Sequence, residues 1–258
     1  MFQFHSIGFL ALIAVLMSWA LGLVLYRVGS PGSVARKLAV LMVIEGFTLI
    51  STGYIDLLLT SGIHDRDWFP TWLKFEEVVH TLGDCAMLAL YPSFLAAALN
   101  TSWTRPFGRR RAQFLMSGVA IALFMAYLFT PLWFGATLLY VLLSALFLFA
   151  LIASIHAWYL AKGAARNRAR SFAFAFGIRD ICWGMAYSFA TWQIWFGEYH
   201  IVDPDASSAI YVIYGLGTLL AVPLVAYGIL RTQLFDIDLK IRWTIKQSTL
   251  AAVVVTLI

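Results

Sequence analysis

Titratable side chains stand at positions of this apolar chain where few would be tolerated by chance, and their spacing shows which of them can act together. In "EGFTLISTGYID", Glu45 and Asp56 are eleven residues apart. At about 100° and 1.5 Å per residue, a helix places them within ~20° of one face and ~16 Å apart along it. "FEEVVHTLGDC" carries Glu76, Glu77, His80 and Asp84, which share an arc of ~100° on one helix. "FGIRDICWG" sets Arg179 beside Asp180. An imidazole among carboxylates suits proton sensing, because its ordinary charge change falls nearest neutrality; it also suits a divalent cation. Carboxylates with one imidazole suit zinc or manganese, but His80 is the only histidine at this place in the sequence and only His64 on the adjoining loop could help it, so no metal site is expected. The plainer reading of Glu76 and Glu77 is solvation at a water edge.

The elements that position these groups are membrane helices. The chain has 258 residues, 62% hydrophobic and 12% charged, with mean hydropathy +0.83, against roughly a quarter charged residues in soluble domains. Apolar stretches of about 20 residues, the length that crosses a bilayer, recur near 7–26, 38–60, 75–99, 113–132, 136–160, 172–196 and 208–231. The predicted fold is all-α: a polytopic bundle of seven complete spans, followed by a linker over 232–247 and the start of an eighth span over 248–258. A chain ending in mid-bilayer would leave carbonyls unsatisfied at several kcal/mol each, so the sequence reads as the front part of a longer one. The first apolar run lacks a preceding cation and a small-residue cleavage signature, and reads as an anchor rather than a signal peptide. Cys85 and Cys182 fall inside apolar stretches and read as core thiols. Pro92, Pro131 and Pro223 are expected at kinks or helix ends.

Fifteen of the eighteen basic residues lie in alternate connections: Arg27, Arg36 and Lys37; Arg105, Arg109, Arg110 and Arg111; Lys162, Arg166, Arg168 and Arg170; Arg231, Lys240, Arg242 and Lys246. Lys and Arg near span ends resist translocation, so these connections are expected on the cytoplasmic side and the N-terminus outside. This places the chain as a multi-pass protein of the cell (inner or cytoplasmic) membrane, with the lipid bilayer as its first partner. The positive balance needs no nucleic-acid partner.

Depth sorts the intramembrane charges into two layers. A charge at the bilayer centre disfavours insertion by about 2.5–3.5 kcal/mol on translocon scales, so such groups should face the bundle interior. Glu45 and Arg179 each fall ~10 Å from the inner edge by helix rise, at a level where they can pair, with Asp180 as a third member. That pair either sets helix register or acts as a switch that breaks when helices shift. Asp56, Glu76, Glu77, His80 and Asp84 fall in the outer third and are the candidates for sensing a ligand or proton. No Schiff-base lysine for a retinal, no facing histidines for a haem, and no phosphate loop, nucleophile elbow or zinc-protease motif is present in the sequence. The expectation is therefore no cofactor and no catalytic residue, and a chain that is not itself an enzyme.

"QLFDIDLKIRWTIK", residues 233–246, alternates like a strand, yet a lone strand at a membrane surface leaves both edges unpaired. As an interfacial helix, Asp236 caps it, Asp238 sits in its first turn, and Ile237, Ile241 and Ile245 form an apolar line while Arg242 snorkels. The surrounding "LRTQLFDIDLKIRWTIKQSTL" resembles the junction that follows the multi-helix membrane region of bacterial and archaeal sensor histidine kinases, matched here by Leu234, Phe235, Asp236, Ile237, Asp238, Leu239, Arg242 and Thr244. Trp243 departs from the second basic residue of that pattern. The resemblance implies a sensory input module of a two-component receptor, with Asp236, Asp238 and Arg242 in the signal-output linker, a homodimeric state, and a kinase domain beyond the chain. The alternatives are an accessory or assembly subunit of a larger membrane complex, or a proton- or cation-coupled transporter. A transporter usually shows internal repeats, and no convincing repeat relates the two halves.

Overall fold

The computed structural model describes the backbone of residues 3–60, 69–196, 204–232 and 247, and within these the side chains of 10–50, 74–75, 77–131, 133–196, 212–229 and 247. The described chain is helical, without strands: α1 Gln3–Val28, α2 Val34–Thr60, α3 Phe69–Leu99, α4 Arg110–Phe129, α5 Leu132–Leu160, α6 Gly163–Phe196 and α7 Pro204–Thr232, with a 3-10 turn at Arg105–Gly108. Five helices contain stretches long and apolar enough to cross a membrane: Leu10–Val28, Glu77–Leu99, Arg110–Phe129, Trp133–Leu160 and Val212–Ile229. In α6 the apolar run is interrupted by Arg179 and Asp180, both buried. The predicted linker and eighth span, 232–247 and 248–258, lie almost wholly outside the described residues.

Six helices close a ring, α1–α2–α3–α5–α6–α7 and back to α1, while α4 packs outside it on α3 and α5. The interior between α3 and α6 is filled by aromatic side chains rather than by another helix. Tyr91, Phe94, Phe147, Phe172, Phe176, Trp183 and Tyr187 are all buried there. Aliphatic Leu21, Leu25, Leu38, Leu41 and Leu49 close the α1–α2 side. Large apolar side chains also face outward on every helix with described side chains, including Leu16, Phe47, Leu82, Phe114, Leu148, Met185 and Leu220, as expected where the solvent is lipid.

Small residues permit the closest crossings. A Cβ on Gly135 would lie 2.7 Å from the Tyr127 Cα, so the α4–α5 turn closes only with glycine there. On Gly217 it would lie 2.7 Å from the Cys182 Cβ and 3.2 Å from the Trp183 ring, which lets α7 approach α6. Pro131 separates α4 from α5, whereas Pro92 and Pro223 are inside α3 and α7. Asn100 ends α3 in the left-handed region, φ 47°, a conformation asparagine tolerates at helix C-termini. Cys85 is buried, Cys182 half-buried, and both are free thiols.

Candidate functional site

Four helices contribute to one buried polar layer. Arg179 of α6 reaches Glu45 of α2, with Nη1 donating to Oε2 at 3.3 Å. It also donates to Oδ1 of neighbouring Asp180 from Nε at 3.1 Å and from Nη2 at 2.8 Å. Tyr91 of α3 donates its hydroxyl to the same carboxylate, 2.9 Å from Oδ1 and 2.7 Å from Oδ2. Thr218 of α7 donates to Glu45 Oε1 at 2.5 Å. Every carboxylate oxygen in this layer accepts at least one hydrogen bond, and Glu45, Arg179 and Asp180 are each about 2% exposed. Aromatic faces enclose the guanidinium: its central carbon is 4.5 Å from the Tyr91 ring centroid, 5.0 Å from Phe176 and 5.9 Å from Phe147. A buried charge is tolerated when paired and hydrogen-bonded in this way.

Two turns along α3, a second cluster surrounds Asp84. Tyr187 of α6 donates its hydroxyl to Asp84 Oδ1, and His80, one turn earlier on α3, brings Nε2 to 3.5 Å from Oδ2. That distance pairs charges when the imidazole is protonated but lies at the limit of a hydrogen bond. The Tyr214 ring of α7 stands edge-on to His80 and to Tyr187, at centroid separations of 6.5 Å and 5.1 Å. Asp84 is fully buried, while the His80 side chain is 19% exposed, so the imidazole is the accessible member. Glu77 is engaged with α4, where Tyr127 donates to its Oε1 at 2.5 Å. The shared arc read from the sequence therefore divides in space, Glu77 toward α4 and Asp84 toward α6.

The side chains of Asp56 and Glu76 lie outside the described residues, although their backbones belong to α2 and α3. Asp236, Asp238 and Arg242 lie outside them altogether. Among the described residues, no three His, Cys, Asp or Glu side chains group to hold a metal ion.

The two clusters are related. On α3 "DCAMLALY" runs from Asp84 to Tyr91, and on α6 "DICWGMAY" runs from Asp180 to Tyr187. The helices are antiparallel, and each tyrosine donates to the other helix's aspartate. Seven residues is nearly two turns, so both members of each segment share a face. Phe147 of α5 lies between the pairs, parallel to Tyr187 within 4° at 5.9 Å and tilted 43° to Tyr91 at 5.8 Å. Sequence reasoning singled out the charged residues but not Tyr91, Tyr187, Tyr127 or Thr218. The signal that finds the first two is the repeated Asp and Tyr at a seven-residue spacing. Such a layer can hold helices in one register and release them when a charge or a hydrogen bond changes. No family model, no curated protein and no solved structure matches the chain.

Proposed function

We propose that the chain is the membrane-embedded sensory input module of a signal-transducing receptor of the histidine-kinase type. In this reading all seven helices cross the bilayer, the N-terminus is outside, and the connections rich in Lys and Arg are cytoplasmic. The Asp84–His80 cluster is the input. The Glu45–Arg179–Asp180 layer is the lock that passes a change toward the cytoplasmic ends of α3, α6 and α7, and the segment after α7, with Asp236, Asp238 and Arg242, is the output. The resemblance further implies that two copies pair. The observation that carries the reading is the reciprocal pairing of α3 and α6. Asp84–Tyr187 and Tyr91–Asp180 lie on the same two helices, so a displacement that loosens the first also loads the second. The local two-fold relation of the two segments also favours ion-coupled transport as a second reading, since inverted repeats are common in transporters.

The test is a distance measurement in proteoliposomes. Spin labels at Ser102→Cys and Ala165→Cys, in a Cys85→Ala, Cys182→Ala background, report the separation of the α3 and α6 ends. Asp84→Asn is expected to shift that distance by about 1–2 Å or more, the scale of helix shifts in switching proteins. An unchanged distance in Asp84→Asn and across external pH 5–8 (roughly the histidine range) would sink the sensor reading. Proton flux that disappears in Asp84→Asn would replace it with transport.

A further inference from the structure

From Cys85 to Arg179 the chain contains no aspartate or glutamate. The α3–α4 and α5–α6 connections, with four cations each, therefore have no acidic residue near them in sequence. Both connections lead into helix N-termini, where the backbone already presents partial positive charge and cations are disfavoured. Arg109, Arg110 and Arg111 are exposed at the start of α4. No acid stands in that first turn, and Arg109 as N-cap offers no side-chain hydrogen bond. The first turn of α6 likewise has no acid, and Arg166 and Arg170 are exposed.

Packing pins this end in place. Phe107 meets Phe149 edge-on at 5.6 Å, and Trp103 stacks on His156 at 4.4 Å and 6°, so the α3–α4 connection is held against α5. Just beyond the arginines, α4 turns an apolar face outward. Phe114 is 77% exposed and Leu115 67% exposed, followed by Ile121 and Met125. Between them Gly118 leaves a notch with nothing within 4 Å of where a Cβ would stand.

We infer that α4 carries a binding site for an anionic phospholipid, its headgroup phosphate held by Arg109–Arg111 at the helix N-terminus and an acyl chain lying along Leu115, Gly118 and Met125. The charge calls for an anion, and the apolar face that continues from it along the same helix calls for an amphiphile. An acidic protein segment or a nucleic acid would match the first feature but leave the second unused. Arginine suits the headgroup because its planar fork can bond two phosphate oxygens at once. The inference rests on the chain lying in a bilayer, and not on its sensing anything.

The experiment is native mass spectrometry of the detergent-solubilised protein, titrated in parallel with palmitoyl-oleoyl phosphatidylglycerol and with phosphatidylcholine of the same chains. The protein is expected to retain phosphatidylglycerol with a preference of roughly tenfold or more, each basic residue near an anionic headgroup contributing about fivefold. The Arg109→Gln, Arg110→Gln, Arg111→Gln triple variant should lose that preference. The corresponding Lys triple should keep most of it and guards against misfolding as the cause. Equal retention of the two lipids by the parent protein would overturn the inference, as would a preference that survives the Gln triple. Displacement of bound phosphatidylglycerol by a poly-glutamate peptide would overturn it in favour of a protein partner. None of these outcomes bears on the α3–α6 distances that test the sensor reading.

Discussion

Removing the Arg179 guanidinium should be far more damaging than removing the whole charged layer. Arg179→Met keeps much of the stem volume but deletes three N–H donors, directed at Glu45 and Asp180 over 2.8–3.3 Å. It also deletes the ring contacts at 4.5 Å and 5.0 Å. Two carboxylates then remain buried, with the Tyr91 and Thr218 hydroxyls as their remaining side-chain partners among the described residues. Orphaning one side of a buried ion pair typically costs about 3–5 kcal/mol, and the expected loss falls in that range. Replacing the layer as a unit, with Glu45→Gln, Arg179→Met and Asp180→Leu together, removes the charges along with the need to pair them. Such replacements are often neutral or stabilising, so the triple variant should lie within roughly 1–2 kcal/mol of the parent, the remainder reflecting the unpaired Tyr91 hydroxyl. The assay is reversible SDS unfolding from mixed micelles, followed by near-ultraviolet circular dichroism. A loss below ~1 kcal/mol for Arg179→Met would refute the argument, since that is the scale of a surface pair. A triple variant as unstable as the sum of its single changes would also refute it, because the energies of contacting groups should not add.

Tyr187→Phe leaves buried Asp84 without its phenolic donor and should cost about 1–3 kcal/mol by the same unfolding assay, the penalty for a buried polar group that loses its hydrogen-bond partner. Gly135→Ala forces a Cβ to 2.7 Å from the Tyr127 backbone, so it should destabilise the α4–α5 crossing by roughly 1–3 kcal/mol. Gly118→Ala, with open space at the same atom, should be neutral or gain up to about 1 kcal/mol from helix propensity. The contrast between the two glycines is itself the check. Gly46→Ala drives a Cβ to 2.0 Å from Trp19 Nε1, displacing the indole from its 3.1 Å bond to the Val43 carbonyl. Its expected signature is a shift in tryptophan emission together with a loss of stability.

The helices were legible because hydropathy acts over whole segments: each of the seven apolar stretches falls on an observed helix, and five of those helices are long and apolar enough to cross a membrane. Most helices extend beyond the stretches, whereas α4 stops at Phe129, inside the predicted stretch 113–132, because Pro131 begins the next helix. α6 begins at Gly163 rather than near residue 172, since the polar segment "GAARNRARS" can be helical outside an apolar stretch, with its backbone bonds made along the chain. Depth by helix rise placed Glu45 and Arg179 at one level, and their side chains meet. What depth and angle could not supply was the neighbour of each face. Glu76, Glu77, His80 and Asp84 share one arc of α3, but helices stand on different sides of that arc, and only the ring order decides that Glu77 meets α4 while Asp84 meets α6. Tyr91, Tyr187 and Thr218 were hidden for another reason. In an apolar helix a tyrosine or threonine counts as core, and its hydroxyl acquires meaning only when an acceptor on another helix is in reach.

The buried charges fix helix register. Between helices in lipid there is no hydrophobic drive to set which residues face each other, and the aromatic interior between α3 and α6 could be packed in more than one alignment. The reciprocal Asp–Tyr pairs remove that freedom. Sliding α3 past α6 by a single turn, about 5.4 Å, would break both pairs together, leaving Asp84 with only His80 of its own helix nearby and Asp180 with only Arg179. The four-helix layer made by Glu45, Arg179, Tyr91 and Thr218 ties α2 and α7 to the same alignment. Because the groups fail together rather than one at a time, the packed arrangement is cooperative. A cooperative layer changes abruptly when one member is altered, and His80, partly exposed and 3.5 Å from Asp84, is the member that the surroundings can reach.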